Sequence, residues 1–141
     1  MGSVSGIPKT ETKTSGNIVK VFLYRWFALL IMLYGLLGFL FYLFLFSTSQ
    51  QTLSLELPFR GLSKNTLWNW LVVYAVLHLV VFTGGVLMLL YKKVSGFILF
   101  IAGLSAILLA NAIINREINY TSWGILLFLS FFLWLWRKHA V

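Results

Sequence analysis

The sequence predicts an all-α fold: a four-helix transmembrane bundle with the N-terminus and C-terminus both cytoplasmic. Three observations predict it. Four uninterrupted apolar runs are each about as long as a bilayer-crossing helix, which needs about 20 residues for a hydrocarbon layer of ~30 Å. The charged residues are confined to the stretches before, between and after those runs. The six tryptophans also stand near the ends, where amphipathic rings meet lipid headgroups.

Composition makes the same point. Hydrophobic residues are 60% of the 141-residue chain and charged residues only 10%, with a mean hydropathy of +0.93. Soluble domains hold about 25% charged residues. The net charge of +8 sits beside the spans, so it suits anionic lipid headgroups rather than nucleic acid. There is no cysteine, which excludes disulfides and thiolate sites.

Taken in order, residues 1–17 are rich in Ser, Thr, Gly and Lys and are expected to form a disordered cytoplasmic tail. Residues 18–141 form a single transmembrane domain. Its spans are expected at about 21–46, 67–91, 94–114 and 118–136. Helix is preferred to strand because the runs are continuous, and an open sheet would leave backbone groups unpaired in lipid. Span one contains an uncharged stretch from Trp26 to Phe46; Trp68 and Trp70 open span two. Trp123 stands near the start of span four, and Trp134 and Trp136 close it. The first span is too long for a signal peptide, and no A-x-A site follows it.

Orientation follows from the basic residues. With the N-terminus inside, Lys9, Lys13, Lys20, Arg25, Lys92, Lys93, Arg137 and Lys138 are cytoplasmic, against Arg60, Lys64 and Arg116 outside. A bacterial cytoplasmic membrane is the expected host, with an organellar membrane as the alternative.

The outer loop 47–65 contains a strict alternation, with Leu53, Leu55, Leu57 and Phe59 on one side of an extended segment. It reads as a loop laid over its own helices or as a docking edge for another subunit. Glycines and alanines recur at helix-packing spacing: Gly35 and Gly38 in span one, Gly84 and Gly85 in span two, and Gly96, Gly103, Ala106 and Ala110 in span three. Small residues let helix backbones approach closely in lipid.

His78 is the one ionisable side chain well inside a span, and an intramembrane ionisable group is a functional hypothesis by default. Tyr34 and Ser105 lie at similar depth, so a neutral histidine bonded to a neighbouring helix is the leading reading. A haem ligand is a second, although the other histidine, His139, lies at the chain's cytoplasmic end. A proton-transfer group is a third.

No acidic residue lies within a span, which removes the residues of two-carboxylate catalysis and magnesium-dependent phosphotransfer. In size and span count the chain is similar to small multidrug-resistance antiporters. Those use a glutamate inside their first helix, and span one has none. The expected function is therefore a non-catalytic accessory or structural subunit, in contact with the lipid bilayer and with other integral membrane subunits. The alternatives are a small oligomeric transporter or channel lined by His78, Thr83, Ser105 and Asn111, and a haem-bearing electron-transfer subunit using His78. No enzyme activity and no resident cofactor are expected.

Overall fold

A computed structural model describes residues 11–48, 64–91 and 94–140, with side chains described over 16–48, 66–91 and 94–135. The regular secondary structure of the described residues is all helix. Four helices follow one another: α1 (Glu11–Thr48), α2 (Lys64–Leu90), α3 (Val94–Asn115) and α4 (Tyr120–Ala140). The first three are long and apolar enough to cross a membrane, and α4 carries a shorter apolar stretch, Tyr120–Leu135. The protein is a multi-pass membrane protein whose apolar helices meet the lipid bilayer.

Helix α1 begins at Glu11, inside the stretch expected to stay an unstructured tail to residue 17. Once the apolar segment is helical, each further turn avoids the unfavourable nucleation step, so helix propagates outward into polar sequence. At 38 residues α1 is about 57 Å long, roughly twice the hydrocarbon thickness. The alternating Leu53, Leu55, Leu57 and Phe59 of the outer loop, and the Lys92–Lys93 connection, lie outside the described residues.

Helix α2 is the middle element, packed extensively against α1 on one side and α3 on the other, while α4 makes smaller contacts with α1 and α3. The buried positions recur at alternating steps of four and three. On α1 they include Tyr24, Ala28, Ile31 and Gly35; on α2, Leu71, Tyr74, His78, Val81, Gly85 and Met88; on α3, Gly96, Phe100, Gly103, Ile107 and Ala110. This seven-residue period keeps one seam facing its partner along the whole contact, as in left-handed coiled coils.

The seam on α3 differs from a row of residues four apart. Ala102 is exposed and Ala106 only half-buried, while Phe100 and Ile107 join the glycines inside. Steps of four drift around a helix by about 40° each, because four residues turn more than a full 3.6-residue revolution. Ala110 re-enters the seam because it also lies on the alternating pattern.

Between α3 and α4 the chain turns in four residues, which makes the two helices antiparallel neighbours. Arg116 follows the last turn of α3 with a φ of 54°, the left-handed conformation that usually falls to glycine. Asn119 then caps α4: its side-chain oxygen accepts from the Ser122 amide at 3.2 Å, and its carbonyl accepts from the Trp123 amide at 3.2 Å. Replacing Arg116 by glycine relieves the strained φ, and we expect a gain of about 0.5–1 kcal/mol, read as a higher thermal midpoint in detergent. An unchanged or lower midpoint would refute the strain.

Candidate functional site

Tyr34, Tyr42, Tyr74 and His78 converge on the α1–α2 contact. Tyr34, Gly38 and Tyr42 are successive positions four apart on α1, so they form one row. Glycine in the middle leaves a gap between two aromatic rings, and His78 of α2 fills it. Its imidazole centroid lies 5.4 Å from that of Tyr34 and 5.1 Å from that of Tyr42. A Cβ on Gly38 would fall on the His78 ring, against Cδ2 and Nε2. The histidine is 4% exposed.

Its hydrogen bond runs along its own helix rather than to a neighbouring one. Nδ1 lies 2.7 Å from the Tyr74 carbonyl oxygen, one turn back. The nearest acceptor in a helix is the carbonyl four residues earlier, and the tyrosine rings crowd out a longer reach. A carbonyl only accepts, so Nδ1 carries the hydrogen and Nε2 presents a lone pair toward Gly38 in the neutral ring.

Tyr74 extends the cluster to α3. Its ring stacks on Tyr42 with centroids 5.1 Å apart and planes 20° apart. Its hydroxyl donates to Asn111 Oδ1 at 2.5 Å. A phenol buried in hydrocarbon is costly unless paired, and here the half-buried Asn111 accepts its hydrogen. The result is a chain of contacts from α1 through α2 to α3, made by Tyr34, His78, Tyr42, Tyr74 and Asn111.

Ser105 is half-buried on α3 and stands apart from this cluster, with no hydrogen bond to His78. Thr83 is exposed and donates to the Leu79 carbonyl of its own helix at 2.8 Å. His78, Thr83, Ser105 and Asn111 therefore do not line one path. Tyr74 shares the face of His78 in span two, whereas Tyr42, on span one, is the member that inspection of span two alone overlooks. Their signal is the pair of four-residue rows, Tyr34–Gly38–Tyr42 and Tyr74–His78, laid side by side.

Glycines close the seams around the cluster. A Cβ on Gly35 would strike the backbone of Phe82, with Cα at 2.7 Å and the His78 carbonyl oxygen at 2.9 Å. From the opposite helix, a Cβ on Gly85 would stand 2.7 Å from the Met32 backbone nitrogen. Gly84, its immediate neighbour, faces α3 instead: its Cβ would lie 2.7 Å from the Phe100 nitrogen and 2.9 Å from the Gly96 oxygen. Gly96 returns the contact at 2.7 Å from the Met88 nitrogen, and Gly103 packs under Val81 Cγ2 at 2.7 Å. Adjacent helical residues point about 100° apart, so Gly84 and Gly85 together give α2 two close faces.

This packing fits a haem poorly. An axial ligand needs its nitrogen turned toward open space on the iron side, and Nε2 of His78 is turned onto the α1 backbone at Gly38. No group of three His, Cys, Asp or Glu that could hold a metal ion occurs among the described residues.

Two concavities adjoin this cluster, one lined in part by Tyr34 and the other in part by Asn111. An apolar cleft of about 370 Å³ opens between α1, α3 and α4, and a polar pocket of about 400 Å³ sits at the α3–α4 turn. On α4, Ser130 Oγ is buried without a hydrogen-bond partner among the described residues, in the helix with the smaller packing contacts. The chain matches no protein-family model, no curated protein and no solved structure, so its function is to be read from these side chains themselves.

Proposed function

We propose that the protein is a non-catalytic accessory or structural subunit that packs within a larger membrane protein complex. The observation that carries this reading is the closure of the α1–α2–α3 seam. Where a transporter needs hydrated polar surface, His78 is bonded to its own helix and Tyr74 to Asn111, and glycines bring the backbones together. What faces outward is apolar: Leu33, Leu37, Leu40 and Phe44 on α1, and Leu127, Phe128 and Phe131 on α4 are exposed. Such faces suit lipid tails and the helices of other integral subunits equally well.

In this reading the four helices form a bundle that crosses the membrane four times, with both ends cytoplasmic. An even number of crossings brings the termini to one side, and the eight-to-three distribution of basic residues supports that side as the inner one. The apolar stretch of α4 is short, and Trp134, Trp136, Arg137 and Lys138 can anchor its end at the headgroups. Lys13, Lys20 and Arg25 on the extended start of α1 are suited to anionic headgroups, at about 1 kcal/mol for each charge near the surface. The membrane is proposed to be a bacterial cytoplasmic one, with an organellar membrane as the alternative.

Purification in a mild detergent followed by mass spectrometry of co-purifying chains tests the subunit role; a chain that is recovered alone, at native expression level, counts against it. Topology has its own test. The sequence lacks cysteine, so single introduced cysteines report cleanly. Lys13→Cys and Lys138→Cys are expected to react with impermeant maleimide from one side of sealed vesicles, and Arg116→Cys from the other. Labelling of the two ends from opposite sides would overturn the four-crossing reading.

A further inference from the structure

We infer that the α3–α4 side of the protein holds a single phospholipid with an ammonium-bearing headgroup, the head in the polar pocket and one acyl chain in the apolar cleft. The two concavities are one amphipathic site, because Leu108 and Ser122 line both. Below that junction the cleft is walled by hydrocarbon, including Ile31, Phe100, Leu104 and Leu129. Along α4 it runs from Ser122 to Leu133, about 16 Å, or more than half of a ~30 Å hydrocarbon layer. Leu30, Tyr34 and Ile125 at its edge are exposed, so the cleft opens sideways and a chain can enter from the bilayer.

Above the junction the lining changes character. Asn115, Asn119, Ser122 and Trp123 supply N–H and O–H donors for a phosphodiester, and Glu117 supplies a carboxylate. Among the described residues no Lys or Arg lines the pocket. A zwitterionic head complements this set: its phosphate meets the donors, and its ammonium meets Glu117 and the face of Trp123. An anionic head without an ammonium would leave Glu117 facing like charge. This site is independent of whether another subunit is bound elsewhere.

The test is lipid retention by the full chain, taken from vesicles of equimolar palmitoyl-oleoyl phosphatidylethanolamine and phosphatidylglycerol and measured by native mass spectrometry. Phosphatidylethanolamine is expected to be retained about threefold over phosphatidylglycerol, the scale of a partly exposed ion pair. Glu117→Gln is expected to bring that ratio close to one while total lipid stays constant. Leu104→Trp and Leu129→Trp fill the cleft from two different helices, and each is expected to lower retention of both lipids at unchanged helicity. Equal retention of the two lipids by the parent protein overturns the headgroup assignment. Undiminished retention in a correctly folded cleft-filled variant overturns the site, and so does a co-purifying chain whose helix occupies the cleft in place of lipid. If both tryptophan variants misfold, the parent ratio and its response to Glu117→Gln still decide.

Discussion

Gly38→Ala is expected to destabilise the protein by about 1–3 kcal/mol by itself, and to cost nothing in a chain that already carries His78→Ala. The new methyl group falls on the imidazole, which cannot simply swing away because Tyr34 and Tyr42 flank it and its Nδ1–H is held by the Tyr74 carbonyl. His78→Ala alone removes a buried ring and leaves a cavity, a loss of about 2–4 kcal/mol by comparison with other large-to-small core changes. In the double variant the methyl enters that cavity, and alanine's higher helix propensity works in the same direction by up to ~1 kcal/mol. The cycle should therefore show strong coupling, read by reversible unfolding in mixtures of mild detergent and dodecyl sulfate. Simple additivity of the two single losses would show that the ring does not occupy the glycine gap.

The second large effect concerns two adjacent residues with different neighbours. Gly84→Val and Gly85→Val are each expected to cost about 2–3 kcal/mol, since the atoms they meet are backbone and cannot rotate aside. Their effects should separate by location. Gly85→Val pushes on Met32 and should speed amide exchange in α1 while α3 stays protected; Gly84→Val pushes on Phe100 and Gly96 and should do the reverse. Equal loosening of both contacts by either change would mean that the pair acts as a flexible joint rather than as two seats.

The helices themselves are written plainly in the sequence, because solvent here is hydrocarbon and a run of about 20 apolar residues admits little else. Their outer limits are less plain. Glu11–Arg25 is polar enough to read as tail and then as boundary, yet helix runs through it from the apolar segment. Which face of each helix turns inward is harder still. Helices apolar on every side offer no amphipathic contrast, so the usual sign of an inner face is missing. What remains is size: Gly84 and Gly85 announce close approach, but the spacing does not reveal that one meets α3 and the other α1. Ala102 shows the opposite failure, since a small residue spaced four before Ala106 is nonetheless exposed.

The histidine illustrates the same division. A lone ionisable residue in mid-span identifies itself, and the face it shares with Leu71, Tyr74 and Ala75 is buried. Its partners are decided by the relative height of α1 and α2, which depends on how Gly35 seats against Phe82. A shift of one turn would bring a different α1 residue opposite the imidazole. The Tyr74–Asn111 bond depends likewise on the height of α3, which the Gly84–Gly96 contact sets.

The paired glycines of α2 also govern how the molecule can move. A rod gripped along one line can still spin like a spindle, whereas one gripped along two lines about 100° apart cannot turn in either sense without driving a side chain into a neighbour's backbone. Sliding lengthwise is blocked as well, because the imidazole is wedged between two rings on α1. The first three helices are therefore locked to one another by backbone contact, while α4, joined through Arg116–Asn119, makes the smaller contacts.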